Sequence, residues 1–115
     1  MKLFDDFLFE DFLNEDYGQM ATNNQTKLVS VAERMKTTKE KIADLARVNQ
    51  GYQEKAGKTK DDIAKSVYTA KISSNNARRE SYLLYMQYLQ SMQNFYQVKA
   101  KEITTRSKAA DKRKF

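Results

Sequence analysis

The sequence predicts an all-α fold: an elongated helical hairpin, or coiled-coil-like long helices, with a short amphipathic helix at the N-terminus. Three observations predict it. Helix breakers are nearly absent, with no Pro and three Gly in 115 residues, and those two residue types cost most in a helix interior. Apolar residues recur between 28 and 45 in alternating steps of three and four, the spacing of a coiled seam. Residues 81–98 carry no charge at all, and five aromatic and six aliphatic side chains share that stretch with Gln, Ser and Asn. The length suits one domain.

The first element is a helix over residues 2–16, part of a docking segment spanning 1–17. Leu3, Phe4, Phe7, Leu8 and Phe12 follow helical steps and make one apolar stripe, with acidic residues on most of the other face. Gly18 ends this segment, and residues 18–24 read as a linker. Phe4, Phe7, Leu8 and Phe12 are candidate partner-binding residues. Their stripe either folds back onto the chain's own last helix or lies in a groove on another protein or subunit.

The body runs over 25–110. From Thr26 to Gln50 a seam of Leu28, Val31, Met35, Thr38, Ile42 and Leu45 can zip against one or two helices. Gly51 and Gly57 then mark the best interior break, where a turn gives a hairpin and its absence a rod. Thr59 is positioned to cap a new helix, with Asp61 and Asp62 in its first turn, where the macrodipole favours acids. Ile63, Val67 and Ala70 resume the seam, and Ser73–Asn76 form a weaker break. The last helix runs from about Ala77 to Ala110. If 59–110 is one helix it measures ~78 Å at 1.5 Å per residue. A compact domain of this chain length has a radius of gyration of only ~13 Å.

On a helical wheel the 81–98 stretch gathers Gln87, Gln90, Ser91, Gln93, Asn94 and Gln97 on one side, and its apolar arc is wider than one packing partner requires. One reading makes it the main helix of a small bundle with a Gln-rich outer face. The other encloses it among several subunits. Tyr82, Tyr85, Tyr88, Leu89, Met92, Phe95 and Tyr96 are the candidate interface residues, since Tyr and Met are frequent in protein interfaces.

Charge is distributed unevenly. Residues 1–20 carry a net −5, residues 21–98 a net +6 and residues 99–115 a net +5. An acidic head on a basic body favours docking of one on the other, within a chain or between subunits. The basic tail, 111–115 with the turns before it, holds Arg106, Lys108, Lys112, Arg113 and Lys114. These either solvate a helix end, where cations are favoured, or contact nucleic-acid phosphate without sequence selectivity.

Little supports catalysis. There is no His and no Cys, and no phosphate-binding or nucleophile motif. Adjacent carboxylates such as Asp5–Asp6 and Asp61–Asp62 point about 100° apart on a helix and make poor acid–base pairs. No enzyme activity, metal or cofactor is expected. Asp5, Asp6, Glu10 and Asp11 interrupt any secretory signal core, and the amides in 81–98 argue against a membrane span. The expected location is cytoplasmic or virion-associated.

The plan of a hairpin whose second helix is rich in Gln resembles the helical minor components of type IV secretion pili and the small helical virion proteins of tailed phages. The resemblance rests on composition and helix length, and it implies a structural subunit. The expected function is therefore a place in a homo- or hetero-oligomeric assembly, with nucleic-acid binding or packaging through the basic tail as the alternative.

Overall fold

The computed structural model describes residues 16–113, the side chain of Arg113 excepted. The first fifteen residues, with Phe4, Phe7, Leu8 and Phe12, lie outside the described residues, as do Lys114 and Phe115. The fold is an all-α hairpin of two long helices, α1 (Tyr17–Lys58, 42 residues) and α2 (Asp62–Arg113, 52 residues).

Local chemistry sets both ends of α1. Asp16 caps its start: Oδ1 accepts from the Gln19 N–H at 2.9 Å, and the Asp16 carbonyl accepts from the Met20 N–H at 2.9 Å. That satisfies donors which would otherwise have no partner in a first turn. The linker expected over 18–24 is instead the first two turns of α1. Asp16 starts the helix before Gly18 can interrupt it, and Asn24 is then drawn into the packing against α2, as described below.

The turn also lies elsewhere than expected. The helix runs through Gly51 and Gly57 and stops at Lys58. Neither glycine has a positive φ. The seam continues past them through Tyr52, Ala56 and Thr59, all half-buried. The ring of Tyr52 stacks on Tyr68 with centroids 5.9 Å apart, and this contact offsets the glycine cost. Reversal takes three residues, 59–61. The Thr59 hydroxyl accepts from the Asp61 N–H at 3.2 Å, and Asp61 Oδ1 accepts from the Ile63 N–H at 2.9 Å. Asp61, not Thr59, therefore caps α2. Ser73–Asn76 make no break, because Asn75 and Asn76 turn their amides onto α1.

A Cβ added at Gly51 meets nothing within 4 Å. Replacing Gly51 with Ala should therefore stabilise the protein by about 1 kcal/mol through helix propensity alone. Urea unfolding of the two chains checks this, and a loss of stability would mean that α1 bends at Gly51.

Contacts divide the described residues into two units, Val31–Ser91 and the pair of segments 16–30 with 92–113. In the first, Val31, Met35, Thr38, Ile42, Leu45, Asn49, Tyr52 and Ala56 of α1 are the least exposed positions of each turn, in alternating steps of four and three. Tyr68, Ile72, Asn75, Tyr82, Met86 and Leu89 of α2 follow the same phase. In the second unit the sheltered positions are Met20, Asn24 and Leu28 with Gln93, Tyr96, Ala100, Ile103, Ser107 and Ala110. This is heptad packing of two helices. Val31, Met86 and Leu89 are the buried apolar residues of the first unit, and Ile103 and Ala110 those of the second.

Polar residues interrupt the seam at fixed places. Asn49 is buried; its Nδ2 donates to Asn76 Oδ1 at 3.0 Å and its Oδ1 accepts from Asn75 Nδ2 at 2.9 Å. Buried Thr38 returns its hydroxyl proton to the Arg34 carbonyl at 2.7 Å. In the other unit, buried Asn24 donates from Nδ2 to the Tyr96 carbonyl at 2.9 Å. An asparagine inside a seam fixes register, because a slip would bury its amide against apolar side chains.

Candidate interaction surface

The uncharged stretch of α2 has two faces, and α1 occupies one of them. Leu89 is 0% exposed and Met86 is buried beside it in sequence phase. Tyr82 and Tyr96 are half-buried and each lies under a lysine of α1: the Nζ atoms of Lys41 and Lys27 stand 5.6 Å from the respective ring centroids. Such contacts contribute about 0.5–1 kcal/mol at partly exposed sites. Met92 is half-buried. So Tyr82, Leu89 and Tyr96 face α1, and Met92 borders the seam.

The opposite face is bare. Leu84 is 66% exposed, Tyr88 58%, Phe95 60% and Val98 64%. At 100° per residue, all four fall within about 60° of the direction facing away from the seam. Ser91 completes their spacing, so that 84, 88, 91, 95 and 98 form a second heptad stripe along the one helix. Tyr85 and Leu83 are also exposed, and the Tyr85 and Tyr88 rings stack with centroids 6.2 Å apart. Phe95 meets the edge of Tyr96 at 5.3 Å. In the unit 31–91 an open groove of about 470 Å³ lies between Lys39 and Ile42 of α1 and Leu83, Met86, Gln87 and Gln90 of α2. Soluble monomers rarely leave large contiguous apolar patches in water. A helix with apolar stripes on two sides is built for two packing partners.

No family model, curated protein or solved structure matches this chain.

The basic tail splits into two sets. Lys101, Lys108 and Lys112 are exposed at steps of seven and four and share one face of α2. Arg106 lies on another face and pairs with Glu102 at 3.4 Å. Arg113 is the last residue of the helix. Among the described residues, no three carboxylates gather as a metal site, and no helix is long and apolar enough to cross a membrane.

Sequence reasoning missed one regularity. Lys27, Lys41 and Lys55 are fourteen residues apart, and so are Tyr68, Tyr82 and Tyr96. Two heptads separate successive members, so each set returns to the same phase of its helix. Lys55 and Lys71 both stand over the Tyr52 ring, at 5.9 and 5.2 Å from its centroid. The fourteen-residue spacing places Tyr82 and Tyr96 in the phase of Tyr68, and the stacking of Tyr68 on Tyr52 of α1 identifies that phase as the seam.

Proposed function

We propose that the protein is a non-enzymatic structural subunit of a larger protein assembly, of the kind found in a phage virion or a secretion apparatus, and that it acts through helix–helix interfaces. The supporting observation is the stripe of Leu84, Tyr88, Phe95 and Val98, which stays exposed after α1 has packed on the other side of α2. A solvated face would carry Lys and Glu, whereas this one carries none across eighteen residues. Its partners are other protein subunits.

A second reading makes the protein a nucleic-acid packaging accessory. It draws on the row of Lys101, Lys108 and Lys112, a spacing that can follow phosphates. One experiment separates the two. The protein from its native source is sedimented through a density gradient, with and without nuclease, beside a Tyr88→Glu/Phe95→Glu variant. The subunit reading expects a fast-sedimenting fraction that resists nuclease and loses the variant. Release by nuclease favours the packaging reading. Sedimentation as free chain under both conditions overturns both.

A further inference from the structure

We infer that the bare stripe of α2 takes the same stripe of a second copy of this chain, packed antiparallel about a two-fold axis near residues 89–91. The inference rests on the subunit reading above and names its partner.

The spacing supports self-pairing. In an antiparallel heptad pairing, Leu84 meets Phe95 of the second copy, Tyr88 meets Ser91, and Val98 meets Ser81. Each contact then occurs twice by symmetry. Large side chains face small or complementary ones at every layer, as close packing requires. A parallel pairing stacks Tyr88 on Tyr88 and leaves Ser91 against Ser91. It also sets Glu102 against Glu102 at the next stripe position after Val98.

Charge selects the same direction. On one flank of the stripe the uncharged stretch is bordered by Glu80 and Lys101. Both are exposed, and neither joins an ion pair among the described residues. The antiparallel register brings Glu80 of each copy beside Lys101 of the other. On the other flank the register brings Lys99 of one copy toward Arg78 of the other; Arg78 stands about 120° from the stripe, farther out than Glu80 at about 40°, so this repulsion is weaker than the Glu80–Lys101 attraction.

The area is sufficient for a modest dimer. Aromatic side chains carry ~150–250 Å² each, so Tyr88 and Phe95, about three-fifths exposed, offer roughly 240 Å² per copy, and Leu84 and Val98 add to it. With the flanking Ser, Gln and Asn, the pair approaches the lower end of the ~1,200–2,000 Å² of stable interfaces.

The full-length chain is measured by sedimentation equilibrium over a broad concentration range. A reversible monomer–dimer equilibrium is expected. Tyr88→Glu/Phe95→Glu should weaken it at least about tenfold, with helicity by circular dichroism unchanged. The chain has no cysteine, so direction is read by a short bismaleimide on E80C and K101C chains. Mixed E80C and K101C chains should cross-link, and neither alone should. Cross-linking of E80C to itself overturns the antiparallel pairing. A dimer that survives Tyr88→Glu/Phe95→Glu but is lost in Phe7→Asp/Phe12→Asp overturns it in favour of the N-terminal stripe. A monomer at all concentrations overturns self-pairing alone; the subunit reading then still stands if the variant leaves the fast-sedimenting fraction.

Discussion

Replacing Leu89 with Ala should destabilise the protein by about 3 kcal/mol, within the ~2–5 kcal/mol span of buried Leu→Ala substitutions. The size follows from how little core there is. Five apolar side chains are buried among the described residues, and Leu89 alone among them is fully enclosed. Small domains hold ~5–15 kcal/mol in total, so one such cavity removes a large fraction of it. Thermal or urea unfolding followed by circular dichroism measures the effect. Ile63, 76% exposed in the first turn of α2, serves as the control, and Ile63→Ala should stay within ~0.5 kcal/mol. Equal losses at both positions would mean that the phase assigned to the α2 seam is wrong.

That phase was only half legible in the sequence. The α1 seam was readable because one apolar residue, or Thr38, marks each turn from Leu28 to Leu45, with charges on both sides. Along 81–98 apolar residues occupy two opposite faces, so hydropathy names the stretch without dividing it. The candidate list consequently mixed Tyr82, Leu89 and Tyr96, which face α1, with Tyr88 and Phe95, which face away, and it omitted Leu84 and Val98. The phase can be carried along α2 from Asn75 and Tyr68, whose partners on α1 are polar or aromatic and therefore identifiable.

The turn and the first helix illustrate a different limit. Gly51 and Gly57 are the strongest breakers by propensity, yet each costs only ~1 kcal/mol. Packing of Tyr52, Ala56 and Thr59 outweighs that cost. The reversal falls where hydrogen-bond chemistry is available, at the Thr59 hydroxyl and the Asp61 carboxylate. Asp16 does the same at the start of α1. Caps located the helix ends better than breakers did, because a cap satisfies orphan donors while a glycine only weakens a helix. The apolar stripe of Phe4, Phe7, Leu8 and Phe12 lies outside the described residues and so outside this comparison.

The two buried asparagines of the seam should respond to Leu with opposite signs. At Asn24 only one end of the amide is engaged. Nδ2 donates to the Tyr96 carbonyl, while Oδ1 is buried without a hydrogen-bond partner. The orientation is fixed, since the Tyr96 carbonyl can only accept. A buried unpaired acceptor costs about 1–3 kcal/mol, and the single bond returns about 1 kcal/mol. Asn24→Leu removes both and adds apolar burial beside Tyr96, whose carbonyl sits within α2 and keeps its helical environment. A gain of about 1 kcal/mol is expected. At Asn49 both ends are engaged, by Asn75 and Asn76. Asn49→Leu leaves half-buried Asn75 without its acceptor and places a larger apolar group where three amides had closed on one another. A loss of about 1–2 kcal/mol is expected. The pair also separates stability from register. Asn49 lies inside the 31–58 seam, where a slip of one heptad would set its amide against apolar neighbours, so its loss should also broaden the amide resonances of α1 and α2 in a heteronuclear NMR spectrum. Asn24→Leu should leave that spectrum sharp. If both substitutions stabilise and both spectra stay sharp, the apolar contacts alone set the register of the hairpin and the three-asparagine cluster is not what aligns it.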